Sequence, residues 1–326
     1  MLKVAGWVVA ALALGAAALW AFGPYEPVET DVAVPEVPGA DALDAWLAAR
    51  EAEVPALRDG EAASVVWAGA PGARTELALV YVHGFSAGVH EIRPVPERVA
   101  AALGANLHFA RLSGHGRDGA AMAEPAVRDW AADLARAMAV GRALGDRVVV
   151  VGTSTGATLA ALLAAEPAMA PHREGLAGVA LIAPNFAVAN PAARLLSMPA
   201  ARVWAPWVAG AERSFEALNP DHGARWTTTY PTVALLPMQA LVDHAAAMDV
   251  SRADVPALFR FDPADRVLDH AVTERVAAEW GGPALVQRVD TAPGDDPFRH
   301  VIAGDILSPG ATEATVGALS AWIGGL

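Results

Sequence analysis

The sequence predicts an α/β fold with a mostly parallel sheet covered by helices on both faces, and three features carry that prediction. Strand-like and helix-like segments alternate along the body without an internal repeat. LALVYVHGF (77–85) and RVVVVGTS (147–154) are apolar on both faces, as buried strands of a parallel sheet must be. The hydrophobic content of 54% in 326 residues is ample for a large core, so disorder is excluded.

Each element follows in turn. In MLKVAGWVVAALALGAAALWAF (1–22) no charge falls between Val4 and Phe22. A helix of that length rises about 28 Å, close to the hydrocarbon thickness of roughly 30 Å. Trp7 and Trp20 sit near its ends, Lys3 precedes it, and Glu26, Glu29 and Asp31 follow. That asymmetry predicts a membrane anchor with the body on the extracytoplasmic side. Ala16-Ala17-Ala18 also suits a signal-cleavage site, which leaves secretion after cleavage as the alternative. Residues 23–39, GPYEPVETDVAVPEVPG, are proline-rich and acidic and predict an extended tether, with the folded domain over 40–326.

Within that domain SVVWAG (64–69) and LALVYVHGF read as strands, PVPERVAAALG as a helix ending at Gly104, and NLHFARL (106–112) as a strand. A glycine-rich loop, SGHGRDGAA, precedes a helix over 125–144 with Trp130, Leu134 and Met138 on one face. RVVVVGTS and TGATLAALLAAEP give the next strand and helix, and GLAGVALIAP another strand. From about 185 to 254 the alternation breaks into a stretch rich in tryptophan and proline, which predicts an inserted, mainly helical cap. The rhythm resumes with PALFRFDPADRVLDHAVTERVAAEW and ALVQRVDTAP, and a helix over about 310–322 closes the chain.

The formal charge of −13, with no cluster of Lys and Arg, excludes nucleic acid as a partner. The absence of cysteine removes disulfides, a thiol nucleophile and cysteine-ligated metals.

Chemistry is concentrated where RVVVVGTS meets TGATLAALLAA. Ser154 lies between Gly152 and Gly156 at the carboxyl end of a strand, the edge at which open parallel sheets bind ligands. Glycine on either side lets a tight turn pass close to its neighbours while the serine oxygen points outward, and the Thr155 N–H at the helix start has no intrahelical partner. A serine hydroxyl needs a base. His300, in the loop after ALVQRVD, reaches the same edge, whereas His270 starts a helix and His83 suits a structural role. Asp262, Asp265 and Asp269 offer a carboxylate to orient that imidazole. Asp265 is favoured because Asp262 suits a turn cap and Asp269 falls in the helix. Gly84 lets the loop after the second strand fold towards Ser154, which assigns Phe85 N–H and Thr155 N–H as oxyanion donors.

Together HGFSAG (83–88), RLSGHGRD (111–118), GTSTG (152–156), DPADRVLD (262–269) and His300 resemble the α/β-hydrolase superfamily, in particular its esterase, lysophospholipase and monoacylglycerol-lipase-like branch. The resemblance implies an α/β-hydrolase fold with a cap over about 185–254. It assigns Ser154 as nucleophile, Asp265 as acid, His300 as base, and Phe85 and Thr155 as the oxyanion amides. GTSTG carries threonine where many relatives have a larger residue before the serine, and the cap matches no known substrate signature. The expectation is cleavage of carboxylic esters through an acyl-enzyme, on lipid-like or other apolar acyl esters, without cofactor or metal. Two alternatives stay open: amide or peptide cleavage by the same residues, and a non-catalytic, membrane-tethered binding module.

Overall fold

The computed structural model describes residues 2–326. Helix α1 (Leu2–Phe22) precedes the body, and its described side chains, Trp7 and Trp20 among them, are exposed. Among the described residues no helix is long and apolar enough to cross a membrane. The anchor expected over 1–22 falls partly outside the described residues, since Met1 and several side chains of α1 are not among them. Residues 23–39 contain no helix or strand, as an extended tether should not, yet they do not hang free. Val28, Val32 and Val34 pack against the core, and the Val32 carbonyl lies 3.0 Å from His172 Nε2.

The body runs through α2 (Leu43–Ala52), β1 (Ser64–Val66), β2 (Thr75–Val82), α3 (Val95–Leu103) and β3 (Asn106–Ala110). It continues with α4 (Val127–Leu144), β4 (Gly145–Thr153), α5 (Thr155–Ala165) and β5 (Leu176–Ile182). An inserted segment then carries α6 (Ala201–Ala209), β6 (Glu212–Ser214), α7 (Pro220–Arg225), β7 (Thr229–Pro231) and α8 (Leu235–Ala247). The last elements are β8 (Ala257–Phe261), α9 (His270–Glu279), β9 (Ala284–Arg288) and α10 (Thr312–Ile323).

Seven strands form one sheet in the order β1-β3-β2-β4-β5-β8-β9. Every pair in it is parallel except β1 with β3. The period-2 geometry of a strand sends Val80, Val82, Val148 and Val150 to one face and Leu79, Tyr81, Val149 and Val151 to the other. The first face meets α4, α5 and α8 in one core, and the second meets α3 and α10 in another. This two-sided burial is why the strands read as unbroken apolar runs. Helix α5 is buried along its whole length, which its all-round apolar sequence requires.

Differences from the sequence reading are local. Helix α2 was not anticipated, although Asp44 near its start and Arg50 in its last turn suit the helix dipole. Within the mainly helical inserted segment, β6 and β7 pair as a short antiparallel hairpin that the sequence reading did not single out.

Candidate active site

The strand-to-helix joint supplies the first group. Ser154 adopts φ 52°, ψ −116°, a conformation that residues with a Cβ rarely hold, so its surroundings must impose it. They do so through close backbone approach. A Cβ on Gly152 would fall 2.4 Å from the Gly156 carbonyl oxygen, and one on Gly156 would fall 2.1 Å from the Val82 carbonyl oxygen. Only glycine fits at either position. The Ser154 N–H donates to the Ile182 carbonyl at 2.9 Å, tying the turn to β5.

The second group arrives from the loop after β9. His300 Nε2 lies 3.1 Å from Ser154 Oγ, and His300 Nδ1 lies 2.8 Å from Asp265 Oδ2. The loop is held by Asp296, whose carboxylate accepts the N–H groups of Phe298 at 3.0 Å and of His300 and Val301 at 2.9 Å each. Sequence reasoning did not single out Asp296. Its signal was the Asp-Pro turn chemistry of GDDPFRH.

The third group, Asp265, sits in the turn between β8 and α9. Its Oδ1 accepts Val267 N–H at 2.7 Å and Leu268 N–H at 3.1 Å. Asp262 makes no hydrogen bond to His300. It caps its own turn through Ala264 N–H at 2.8 Å and accepts Thr291 N–H, also at 2.8 Å. Asp269 caps α9 through Ala271 N–H.

Burial works against a charge on Asp265. The hydrogen bonds from His270 and His300 and the charge of His300 outweigh it and hold the carboxyl well below the usual carboxylate range. For His300 burial again opposes the charge, but the hydrogen bond and charge of Asp265, with Glu91 and Asp296 behind it, raise the imidazole above its ordinary value. Burial pushes His83 down to about 4, so it stays neutral, and its Nε2 accepts the Leu112 N–H at 3.1 Å, a structural bond.

Facing Ser154, the loop after β2 presents a free amide. Gly84 N–H donates to Glu91 Oε2 at 2.8 Å and Ser86 N–H to His115 Nε2 at 3.2 Å, while Phe85 N–H between them has no acceptor among the described residues. A Cβ on Gly84 would lie 3.0 Å from the Ser154 Cβ, so the loop is pressed against the serine. Thr155 N–H, at the first position of α5, has no intrahelical partner. The role of Glu91 was not visible in the sequence. It is fully buried, burial raises its carboxyl, and the Gly84 N–H and Tyr81 hydroxyl offset part of that rise.

Ser154, His300, Phe85 and Glu91 line a cavity of about 730 Å³ whose other walls are largely apolar, including Phe215, Trp226, Leu235, Met238 and Phe298. Among the described residues no group of three or more His, Cys, Asp or Glu side chains is arranged to hold a metal ion.

The sheet order and the position of the site beyond the strand ends define a class. A model of the alpha/beta hydrolase family matches residues 79–304, and the chain belongs to that family. Solved structures agree on the fold. One of the metagenome-derived lipolytic enzymes LipS and LipT superposes with a TM-score of 0.66 at 21% identity, covering 83% of this chain and 100% of its own. The monoacylglycerol lipase of Paleococcus ferrophilus gives 0.57 at 15% identity, with 80% and 97% covered. The monoglyceride lipase of Saccharomyces cerevisiae gives 0.58 at 12% identity, with 93% and 98% covered. No curated protein matches the chain.

Proposed function

We propose that the protein is a serine hydrolase of carboxylic esters that works through an acyl-enzyme on substrates with an apolar acyl chain. One observation carries the reading: Ser154 Oγ, His300 and Asp265 are joined by hydrogen bonds of 3.1 and 2.8 Å, with Ser154 and His300 on the wall of an apolar cavity. In that arrangement His300 Nε2 takes the Ser154 proton as Oγ attacks the acyl carbon, and the Asp265 carboxylate stabilises the imidazolium that forms. The N–H groups of Phe85 and Thr155 receive the developing oxyanion, and each such donor is worth about 3 kcal/mol in the transition state. His300 returns the proton to the departing alcohol, and water repeats the cycle on the acyl-enzyme to release the acid.

The apolar lining of the cavity and the lipolytic enzymes among the structural neighbours both favour lipid-like esters such as lysophospholipids or monoacylglycerols. The uncharged stretch from Val4 to Phe22 supports a membrane anchor with the catalytic body on the extracytoplasmic side, which would bring the cavity to such lipids. The test is Ser154→Ala in the full-length chain. It is expected to lose hydrolysis of a short-chain nitrophenyl ester and labelling by a fluorophosphonate probe, and retention of the wild-type rate would overturn the reading.

A further inference from the structure

We propose that His270 is a positioning residue for the reaction at Ser154, holding from a second side the carboxylate oxygen of Asp265 that orients His300. The inference rests on the ester-hydrolase reading and extends it to a side chain outside the three reacting groups.

The geometry is specific. His300 Nδ1 and His270 Nε2 lie 2.8 and 3.0 Å from the same atom, Asp265 Oδ2. Oδ1 of that carboxylate is occupied by the N–H groups of Val267 and Leu268. A carboxylate has about four acceptor positions and, when ionised, no donor. All of them are therefore filled, and both ring nitrogens facing Oδ2 carry a proton.

His270 is itself fixed. Its ring stacks on Phe261 with centroids 4.6 Å apart and planes 22° from parallel, and its Nδ1 lies 2.9 Å from Thr273 Oγ1. His270 and Thr273 are both buried in the first turn of α9. With the Thr273 hydroxyl donating to Nδ1, the ring proton stays on Nε2, where Asp265 needs it. A hydrogen-bonded chain thus runs from Thr273 through His270 and Asp265 to His300 and Ser154.

Sharing Oδ2 has two consequences. The carboxylate cannot swing away from His300, and its negative charge is divided between two N–H donors. His300 also stands in the field of Glu91 and Asp296. The carboxylates beside His270 are Asp265 by contact and Asp269 and Glu274 around the adjoining cavity. Removing the His270 donor leaves Asp265 to bind a protonated His300 more strongly, so the base stays blocked to higher pH.

The experiment compares His270→Phe, which keeps an aromatic ring on Phe261, with His270→Gln, whose amide N–H restores a donor towards Oδ2. The expected result for His270→Phe is a fall of about tenfold in kcat/KM at the pH plateau, together with an acid limb moved to higher pH. His270→Gln is expected to recover most of both. NMR titration of the His300 ring in the full-length chain reads the same shift without substrate, so failure of the ester-hydrolase reading is separable from failure of this one. If His270→Phe does not fold, Thr273→Val decides, with a smaller shift in the same direction expected. An acid limb and His300 titration identical to wild type in the folded variant would overturn the proposal, whatever happens to thermal stability.

Discussion

Two regions share the cavity and are built by opposite means. On the sheet edge the three proposed reacting groups are each held by their surroundings: Ser154 by glycines with no room for a Cβ, Asp265 by two backbone N–H groups, and His300 by a loop closed on Asp296. The inserted segment facing it contributes chiefly apolar walls. It is tied to the rest of the molecule by hydrogen bonds from outside the sheet edge, among them those of the Arg58 guanidinium, which donates to the carbonyls of Ala224, Arg225 and Trp226 at 3.0 to 3.2 Å. Preorganised polar groups are needed where charge develops, whereas an acyl chain needs only surface that excludes water. On the proposed reading the edge carries the chemistry and the insertion the selection.

The sharpest way to break that division is to exchange the roles of two aspartates. Asp265→Asn is expected to lower kcat by about 10⁴-fold, because the amide cannot hold His300 as a cation in the required orientation. Asp262→Asn is expected to leave the rate near wild type and cost about 1–3 kcal/mol in denaturant melts, because Asp262 serves its own turn and the Thr291 N–H. The opposite pattern in steady-state kinetics would reassign the acid.

Next in size is a change beneath the edge. Trp130 is fully buried, its Nε1–H reaches the Ser113 carbonyl at 3.1 Å, and its ring meets Phe85 edge-on at 6.2 Å. Trp130→Ala should cost about 3–5 kcal/mol in a denaturant melt.

The wall responds more gently. Leu235→Trp fills part of the cavity and should shift the ratio of kcat/KM for long against short acyl esters by about tenfold towards the short ones, measured across a chain-length series. Equal loss at every chain length would place Leu235 outside acyl selection.

The acid limb checks the electrostatics. In the proposed mechanism the base is unprotonated His300, whose folded pKa is raised above the ordinary 6.5. The rate should therefore fall as pH drops through a value above 6.5, and a profile flat from pH 5 to 8 would remove His300 as base.

The same contrast separates what was legible in the sequence from what was not. The strands and the Gly-Thr-Ser-Thr-Gly joint are local statements, since unbroken β-branched runs and glycines flanking a serine report their surroundings directly. Asp265 could be favoured over Asp262 by turn position alone. Asp296, Glu91 and His270 were not found that way, because each meets a partner four to seven residues off that only the conformation of the intervening loop brings to it. Asp296 holds the His300 loop, Glu91 takes Gly84 N–H, and His270 read as an ordinary helix start before the loop geometry turned it onto Asp265. The hairpin of β6 and β7 was equally hidden, since strands of three residues carry too little periodicity to separate from the turns around them.

The smallest effect tests the insertion where it faces outward. Trp207 on α6 is 89% exposed, beside exposed Val203 and Val208. By contrast Trp204, one turn earlier, donates its Nε1–H to the Pro199 carbonyl at 3.0 Å. A tryptophan with so little covered surface contributes almost nothing to folding, so Trp207→Ser should alter stability by no more than about 0.5 kcal/mol and leave turnover of a water-soluble ester unchanged. Set against Trp130→Ala, the two melts measure how unevenly the molecule distributes its packing. A loss for Trp207→Ser approaching that for Trp130→Ala would mean that the outer face of α6 is packed as heavily as the core beneath the sheet edge, and the contrast between a buried edge and an outward-facing insertion would not survive it.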